Sequence, residues 1–187
     1  MTLAIFVEGQ SDYRSIPILL RKLRKTKIHT RRVAAGDMLD IKEMTHYIQA
    51  LSRHKIQMAI IFRDSECTDP EDWISRSKIV EKGFEQLGLK PLVRYIIVDH
   101  SLEGWLACDK AALRAVLGPD AKIPNRLNPA YSCRPAEVMK RLFQYNNVRA
   151  PFNKVIHNPL MAQSADPKVI EKESPTFAYL VNLLQSA

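Results

Sequence analysis

Three apolar runs in this chain break off into carboxylates. "AIFVEGQSD" (Ala4 to Asp12) reaches Glu8, and "AIIFRDSE" (Ala59 to Glu66) reaches Asp64 and Glu66. "YIIVDHSLEGW" (Tyr95 to Trp105) reaches Asp99, with Glu103 four residues further on. Asp64 and Glu66 are two apart, so a chain still extended there points both side chains the same way. Two carboxylates held that close repel unless a proton or a cation intervenes. Mg²⁺ suits such a pair, because it is a hard ion that takes one or two carboxylates and keeps waters for a phosphate to displace. An ion in that position can stabilise an attacking or leaving oxygen in phosphoryl transfer. Each acid taken singly has an ordinary alternative, since Asp and Glu after a strand also cap helices or favour their N-termini. His100 is a base, a ligand or a plain loop residue on the same reasoning, and Trp105 reads as a core or lid residue.

The acids meet only if the elements before them lie side by side. Leu3 to Val7 reads as a buried strand. Ser11 is the expected N-cap of a helix carrying Ile16, Leu19, Leu20 and Leu23 at helical spacing, with Pro17 expected to delay or disturb its first turn. Ile28 to Ala34 reads as a strand near an edge. Asp40 opens a helix with Ile41, Met44, Ile48 and Leu51 on one face. Gln57 to Phe62 is the third strand, Asp69 to Leu87 contains a helix, and Leu92 to Val98 is the fourth strand. Strands alternating with helices imply βαβ units and a mostly parallel four-stranded sheet flanked by helices. In such a sheet the residues after the strands share one edge, where α/β ligand sites form. Glu8, Asp64 and Asp99 are all expected there.

After Asp99 the pattern changes. "LEGWLACDKAALRAVLG" is helical, and "PDAKIPNRLNPAYSCRP" is a loop with four prolines, in which Lys122, Arg126 and Arg134 are ordinary solvated cations or anion contacts. From Pro135 onward the chain reads as helical, ending in a helix capped by Ser174 with Pro175 first and Phe177, Leu180, Val181 and Leu184 on its apolar face. The division is therefore an α/β core over 1–117 and a loop with a helical C-terminal extension over 118–187, packed as a single domain overall.

The 187 residues are 46% apolar and 26% charged, a globular composition. No apolar stretch reaches the roughly 20 residues that span a bilayer, and the first residues lack the basic region of a signal peptide. Cys67, Cys108 and Cys133 show no zinc spacing, so the expectation is free thiols in a reducing cytoplasm. Net charge is +8. Arg21, Lys22, Arg24, Lys25, Lys27, Arg31 and Arg32 crowd one segment, which reads either as a nucleic-acid contact or as cations complementing a helix C-terminus.

The segments "IFVEGQSDYRSIPILLRKL", "AIIFRDSEC", "SLEGWLACD", "FNKVIHNPLMAQ" and "SPTFAYLVNLL" together resemble the small stand-alone Toprim-like proteins of bacteria and archaea, a family of unknown function. These are related to the Toprim domain of overcoming-lysogenization-defect nucleases. The resemblance implies a Rossmann-like Toprim core and a cytoplasmic, Mg²⁺-dependent (or Mn²⁺-dependent) nuclease acting on DNA or RNA. Glu8, Asp64 and Glu66 then fall on the metal-binding acids, with Glu8 alternatively a general acid/base. Glu103 falls on the acid of the Glu-x-Trp motif. Lys154 falls on a late lysine that stabilises charge on the scissile phosphate. Glu66 departs from the Asp usual at its position. Such proteins are often encoded beside an ABC/AAA-type ATPase in phage-defence or mobile-element settings, which implies that kind of partner.

On this reading Arg21, Lys22, Arg24, Lys25, Arg31 and Arg32 hold the phosphate backbone. The alternative is a non-catalytic binding or regulatory subunit that keeps the Toprim shell. No Walker-type lysine loop, G-x-G-x-x-G or G-x-S-x-G occurs, which disfavours nucleotide-triphosphate, dinucleotide and serine-hydrolase chemistry.

Overall fold

The computed structural model describes residues 1–89 and 92–186. Its fold is α/β. Four strands, β1 (Thr2–Val7), β2 (Lys27–Arg32), β3 (Met58–Asp64) and β4 (Leu92–Val98), form one sheet in the order β2-β1-β3-β4. Every pairing is parallel. Leu3 to Val7 are buried on both faces, which is why β1 reads as a continuous apolar run.

The helices follow from the direction of each crossover. The chain steps from β1 to β2 one way, then crosses back over β1 to β3 and on to β4. Right-handed connections put the first helix on one face and the next two on the other. Accordingly α1 (Gln10–Leu23) covers Leu3, Ile5, Ile60 and Phe62. The opposite face, with Ala4, Phe6, Ala59 and Ile61, is covered by α2 (Ile41–Gln49) and α3 (Pro70–Gln86). The change of direction makes the gap between β1 and β3 the topological switch point, and its crevice lies beyond Val7 and Asp64.

The rest of the chain is a helical region laid over the α1 face: α4 (Leu102–Ala107), α5 (Lys110–Leu117), α6 (Pro135–Tyr145), α7 (Lys154–Ser164), α8 (Pro167–Glu173) and α9 (Pro175–Ser186). Its apolar residues join the sheet in one core. Trp105 is fully buried at the centre, edge-on to Phe62 and Phe177, and its indole N–H donates to Thr176 Oγ1 at 3.0 Å. Ser174 caps α9, accepting from Phe177 N.

Several boundaries differ from the sequence reading. β3 runs two residues past Phe62, so Asp64 is a paired strand residue opposite Val98. β2 ends at Arg32 on the sheet edge. The N-cap of α1 is Gly9 rather than Ser11: Asp12 Oδ2 accepts from Gly9 N at 3.2 Å, which frees the Ser11 hydroxyl for other contacts. α1 continues through the buried Pro17, because Ile16, Leu19 and Leu20 hold that turn in the core. The helix after Asp99 is split at Asp109, whose carboxylate accepts from Ala111 N and Asp166 N. Two thiols are not free: Cys67 and Cys133 form a disulfide, and Cys108 alone is unpaired. A sequence separation of 66 hides that proximity. No helix among the described residues is long and apolar enough to cross a membrane.

Candidate functional site

Two adjoining cavities open at the carboxyl edge of the sheet. The smaller, about 230 Å³, is lined by Glu8, Gly9, Asp12, Arg63, Asp64, Glu66, Trp73 and Lys154, among others. The larger, about 420 Å³, is lined by His100, Ser101, Glu103, Cys67, Cys133 and Arg134 on its outer side. Asp12, Asp64, Glu66 and Lys154 form the wall common to both. Four elements supply it: Asp64 ends β3, Asp12 sits in the first turn of α1, Glu66 follows β3 in a turn, and Lys154 begins α7.

Like charge dominates this wall. Burial, then the charges of Asp12 and Glu103, push the Asp64 carboxyl well above its ordinary value, against the pull of Lys154. Burial and then Glu103 push Asp12 up to about 6, while the Gly9 N–H and Lys154 oppose the rise. A proton or a cation therefore stabilises this pair of acids.

Glu103 serves the wall from behind. It is 4% exposed. Its Oε2 accepts from Ser101 Oγ at 2.6 Å and its Oε1 from Asn158 Nδ2 at 2.8 Å. Asn158 Nδ2 also donates to Ser11 Oγ at 2.7 Å, and the Ser11 hydroxyl donates to Lys154 O at 3.2 Å. This buried chain ties α1, α4 and α7 together and fixes the backbone that carries Lys154.

The D-x-E pair does not stay extended. Glu66 has φ +52° and His100 has φ +59°. The two left-handed residues brace each other: Glu66 N donates to His100 O at 2.8 Å, and His100 Nδ1 donates to Glu66 O at 2.7 Å. Glu66 thus reaches the common wall through a turn instead of through strand alternation. A left-handed conformation costs a side-chain-bearing residue about 1 kcal/mol that glycine does not incur. Glu66→Gly is expected to be more stable than Glu66→Ala by about that amount, read from urea midpoints at constant m. Equal stability would show that the turn relaxes on truncation.

Asp99 does not join the site. Its Oδ2 accepts from Ser174 Oγ at 2.6 Å, and it lines a separate cavity of about 550 Å³ between α3 and α9.

The basic residues divide into two groups. α1 has 14 residues, about 21 Å of helix, and leads away from Glu8. Arg21, Lys22, Arg24 and Lys25 therefore stand at the far end of the sheet. Lys22 Nζ donates to Gln163 O and Ala165 O at 2.6 Å each, and Arg24 Nη1 donates to Leu184 O. These two side chains satisfy carbonyls at the ends of α7 and α9. Lys22→Met is expected to lower stability by about 1 kcal/mol without changing polyanion affinity. A loss of affinity with unchanged stability would contradict that capping role. Arg31 and Arg32 stand at the acidic edge, where Arg32 pairs in register with Val7. The Arg31 guanidinium lies 5.1 Å over the Tyr47 ring.

Asp12, Asn158 and Arg63 escaped the sequence reading. Asn158 lies four residues after Lys154, hence on the same helix face, and that spacing was the available signal. Asp12 sits one helical turn past Gly9, inside the first quoted motif.

Among the described residues no three His, Cys, Asp or Glu side chains converge closely enough to hold a metal ion as they stand. Mg²⁺ needs fewer, since one or two carboxylates and several waters complete its octahedron. The donor set is all hard oxygen, and the like charge of the half-buried Asp12 and Asp64 is the imbalance that a cation offsets. The residues present fit such an ion through Asp64 with Glu8, Asp12 or Glu66.

Residues 7–185 match the family model described as "Domain of unknown function (DUF4276)". No curated protein and no solved structure matches the chain.

Proposed function

We propose that the chain, which belongs to the DUF4276 family of unknown function, is a divalent-metal-dependent phosphodiesterase acting on nucleic acid. The observation that carries this reading is the convergence of Asp12, Asp64, Glu66 and Lys154 on one wall at the topological switch point. The resemblance of its motifs to Toprim nucleases supports it independently, as does the net charge of +8. A bound Mg²⁺ or Mn²⁺ would supply Lewis-acid polarisation of the phosphate and an acidified water. Asp64 would hold that ion together with Glu8, Asp12 or Glu66, which line the same cavity. The Lys154 ammonium faces the same space and stabilises charge that grows on the phosphate oxygens. Glu103 acts through Asn158 and Ser11 and is a positioning residue.

The test is incubation with single-stranded DNA, supercoiled DNA and RNA in Mg²⁺, Mn²⁺ or EDTA. Cleavage of at least one substrate that stops in EDTA is expected. No cleavage of any of them in either metal would sink the hydrolase reading.

A second reading is favoured by two features: both Glu103 oxygens are already hydrogen-bonded, and Glu66 is held in a turn. In it the chain is a non-catalytic subunit, for example of an ABC/AAA-type ATPase. It then binds polyanions with no divalent-metal requirement.

A further inference from the structure

We propose that Arg63 and Trp73 form an anion subsite in the smaller cavity, one that holds a non-scissile phosphate of the strand beside the carboxylates. The inference rests on the phosphodiesterase reading and names how the substrate is held. Arg63 and Asp64 are successive residues of β3, so their side chains leave the strand on opposite faces. Both nevertheless line the same cavity at the strand end.

Arg63 is fixed there. Its Nη1 donates to Ala35 O at 2.9 Å, and its guanidinium lies 4.2 Å over the Trp73 ring, with Arg76 at 5.3 Å from the same ring. The stacking and the carbonyl bond hold the planar fork without neutralising it. The ion pairs among the described residues are Arg94–Glu85 and Arg134–Glu137. Arg63 therefore has no carboxylate within pairing distance, although it shares a cavity with Glu8, Asp12, Asp64 and Glu66.

Arg63 is half-buried, and a half-buried guanidinium with no counter-ion calls for an anion. Its Nε and the Trp73 Nε1 lie behind the cavity surface, buried without a hydrogen bond. Phosphate matches the need, because the guanidinium fork meets two of its oxygens in one plane. The resulting site is bipartite. Its acidic wall takes the cation and its Arg63 wall takes the neighbouring phosphate, which sets the strand's register across the reacting bond.

The test is binding of a fluorescent single-stranded oligothymidylate by anisotropy. Ca²⁺ replaces Mg²⁺ to suppress cleavage, and Mn²⁺ titration and circular dichroism are run on every variant. Arg63→Met is expected to weaken oligonucleotide binding about tenfold and to reduce the slope of log K against log salt by about 0.7, with Mn²⁺ binding intact. Arg63→Lys keeps the charge and loses the fork, so it weakens binding by less and keeps the wild-type slope. Lys22→Met, at the far end of the sheet, serves as the control and leaves both quantities near wild type.

Wild-type affinity and slope in Arg63→Met would overturn the subsite while leaving the metal reading standing. An Arg63 effect in a protein that binds no Mn²⁺ would sustain the subsite and sink the metal reading. No oligonucleotide binding by the wild type would overturn the subsite and the nucleic-acid substrate, with the metal reading decided by the Mn²⁺ titration.

Discussion

Asp64→Asn is expected to abolish metal-dependent cleavage, by two to three orders of magnitude or more, and at the same time to make the metal-free protein more stable. The two effects have one cause. Asp64 is the residue that β3 pushes furthest into the acidic wall, and its carboxyl is raised by burial and by the charges of Asp12 and Glu103. In EDTA near neutral pH the wild type must either hold a proton there or tolerate the repulsion. An amide has the same shape and neither difficulty. With Mg²⁺ the order reverses. A ligand that binds only the folded chain adds about 2.7 kcal/mol at a hundredfold excess over Kd, and the variant loses most of that gain. Parallel urea titrations in EDTA and in Mg²⁺ read both signs. A variant less stable than wild type in EDTA would show that Asp64 is held by partners rather than opposed by neighbours. Full cleavage by the variant would remove Asp64 from the chemistry.

The pH dependence of stability in EDTA should carry the signature of Asp12. Its carboxyl titrates at about 6 in the folded chain against 3.8 ordinarily. A group whose folded value is raised contributes stability that is fully present below the unfolded value and is lost as pH rises through the folded one. The window therefore runs from about 4 to about 6, and the interval corresponds to roughly 3 kcal/mol. Asp12 and Asp64 are neighbours and titrate as a pair, so the loss belongs to both. Comparison with Asp12→Asn isolates this contribution from those of the other titrating groups. Wild type should fall relative to the variant by up to about 3 kcal/mol across that window, and Mg²⁺ should shrink the fall. A difference that stays constant with pH would contradict the half-buried, repelled pair.

How much of this was legible in the sequence depended on range. β4 was readable to the residue, because a largely apolar run between Pro91 and Asp99 is marked at both ends. α9 was readable because Ser174 and Pro175 announce its start and four apolar residues recur at helical spacing. The parallel order followed from the alternation of elements, and with it the expectation that Glu8 and Asp64 share an edge.

What failed involved contacts between distant segments or local backbone turns. The Ser11–Asn158–Glu103 chain joins residues up to 147 apart, and the Cys67–Cys133 pair is 66 apart. Neither separation leaves a local trace. The Glu66 turn defeated a period-two argument that assumed an extended backbone. Asp99 illustrates the limit of edge reasoning. It follows a strand as Asp64 ends one, yet the hydroxyl of Ser174 draws it toward α9 and out of the site. Arg63 gave no signal of its own, because its partners Ala35 and Trp73 lie on other segments and an arginine at a strand end reads as a solvated charge.

The central claim is that the acidic wall at the end of β1 and β3 holds a divalent cation. Isothermal titration of the metal-free wild type and of Asp64→Asn with Mn²⁺ tests it most directly. The account predicts saturable binding with at least one ion per chain in the wild type, competed by Mg²⁺, and loss of that binding in Asp64→Asn. Saturable binding that survives unchanged in the variant would place the ion elsewhere, and no binding in the wild type would contradict the account.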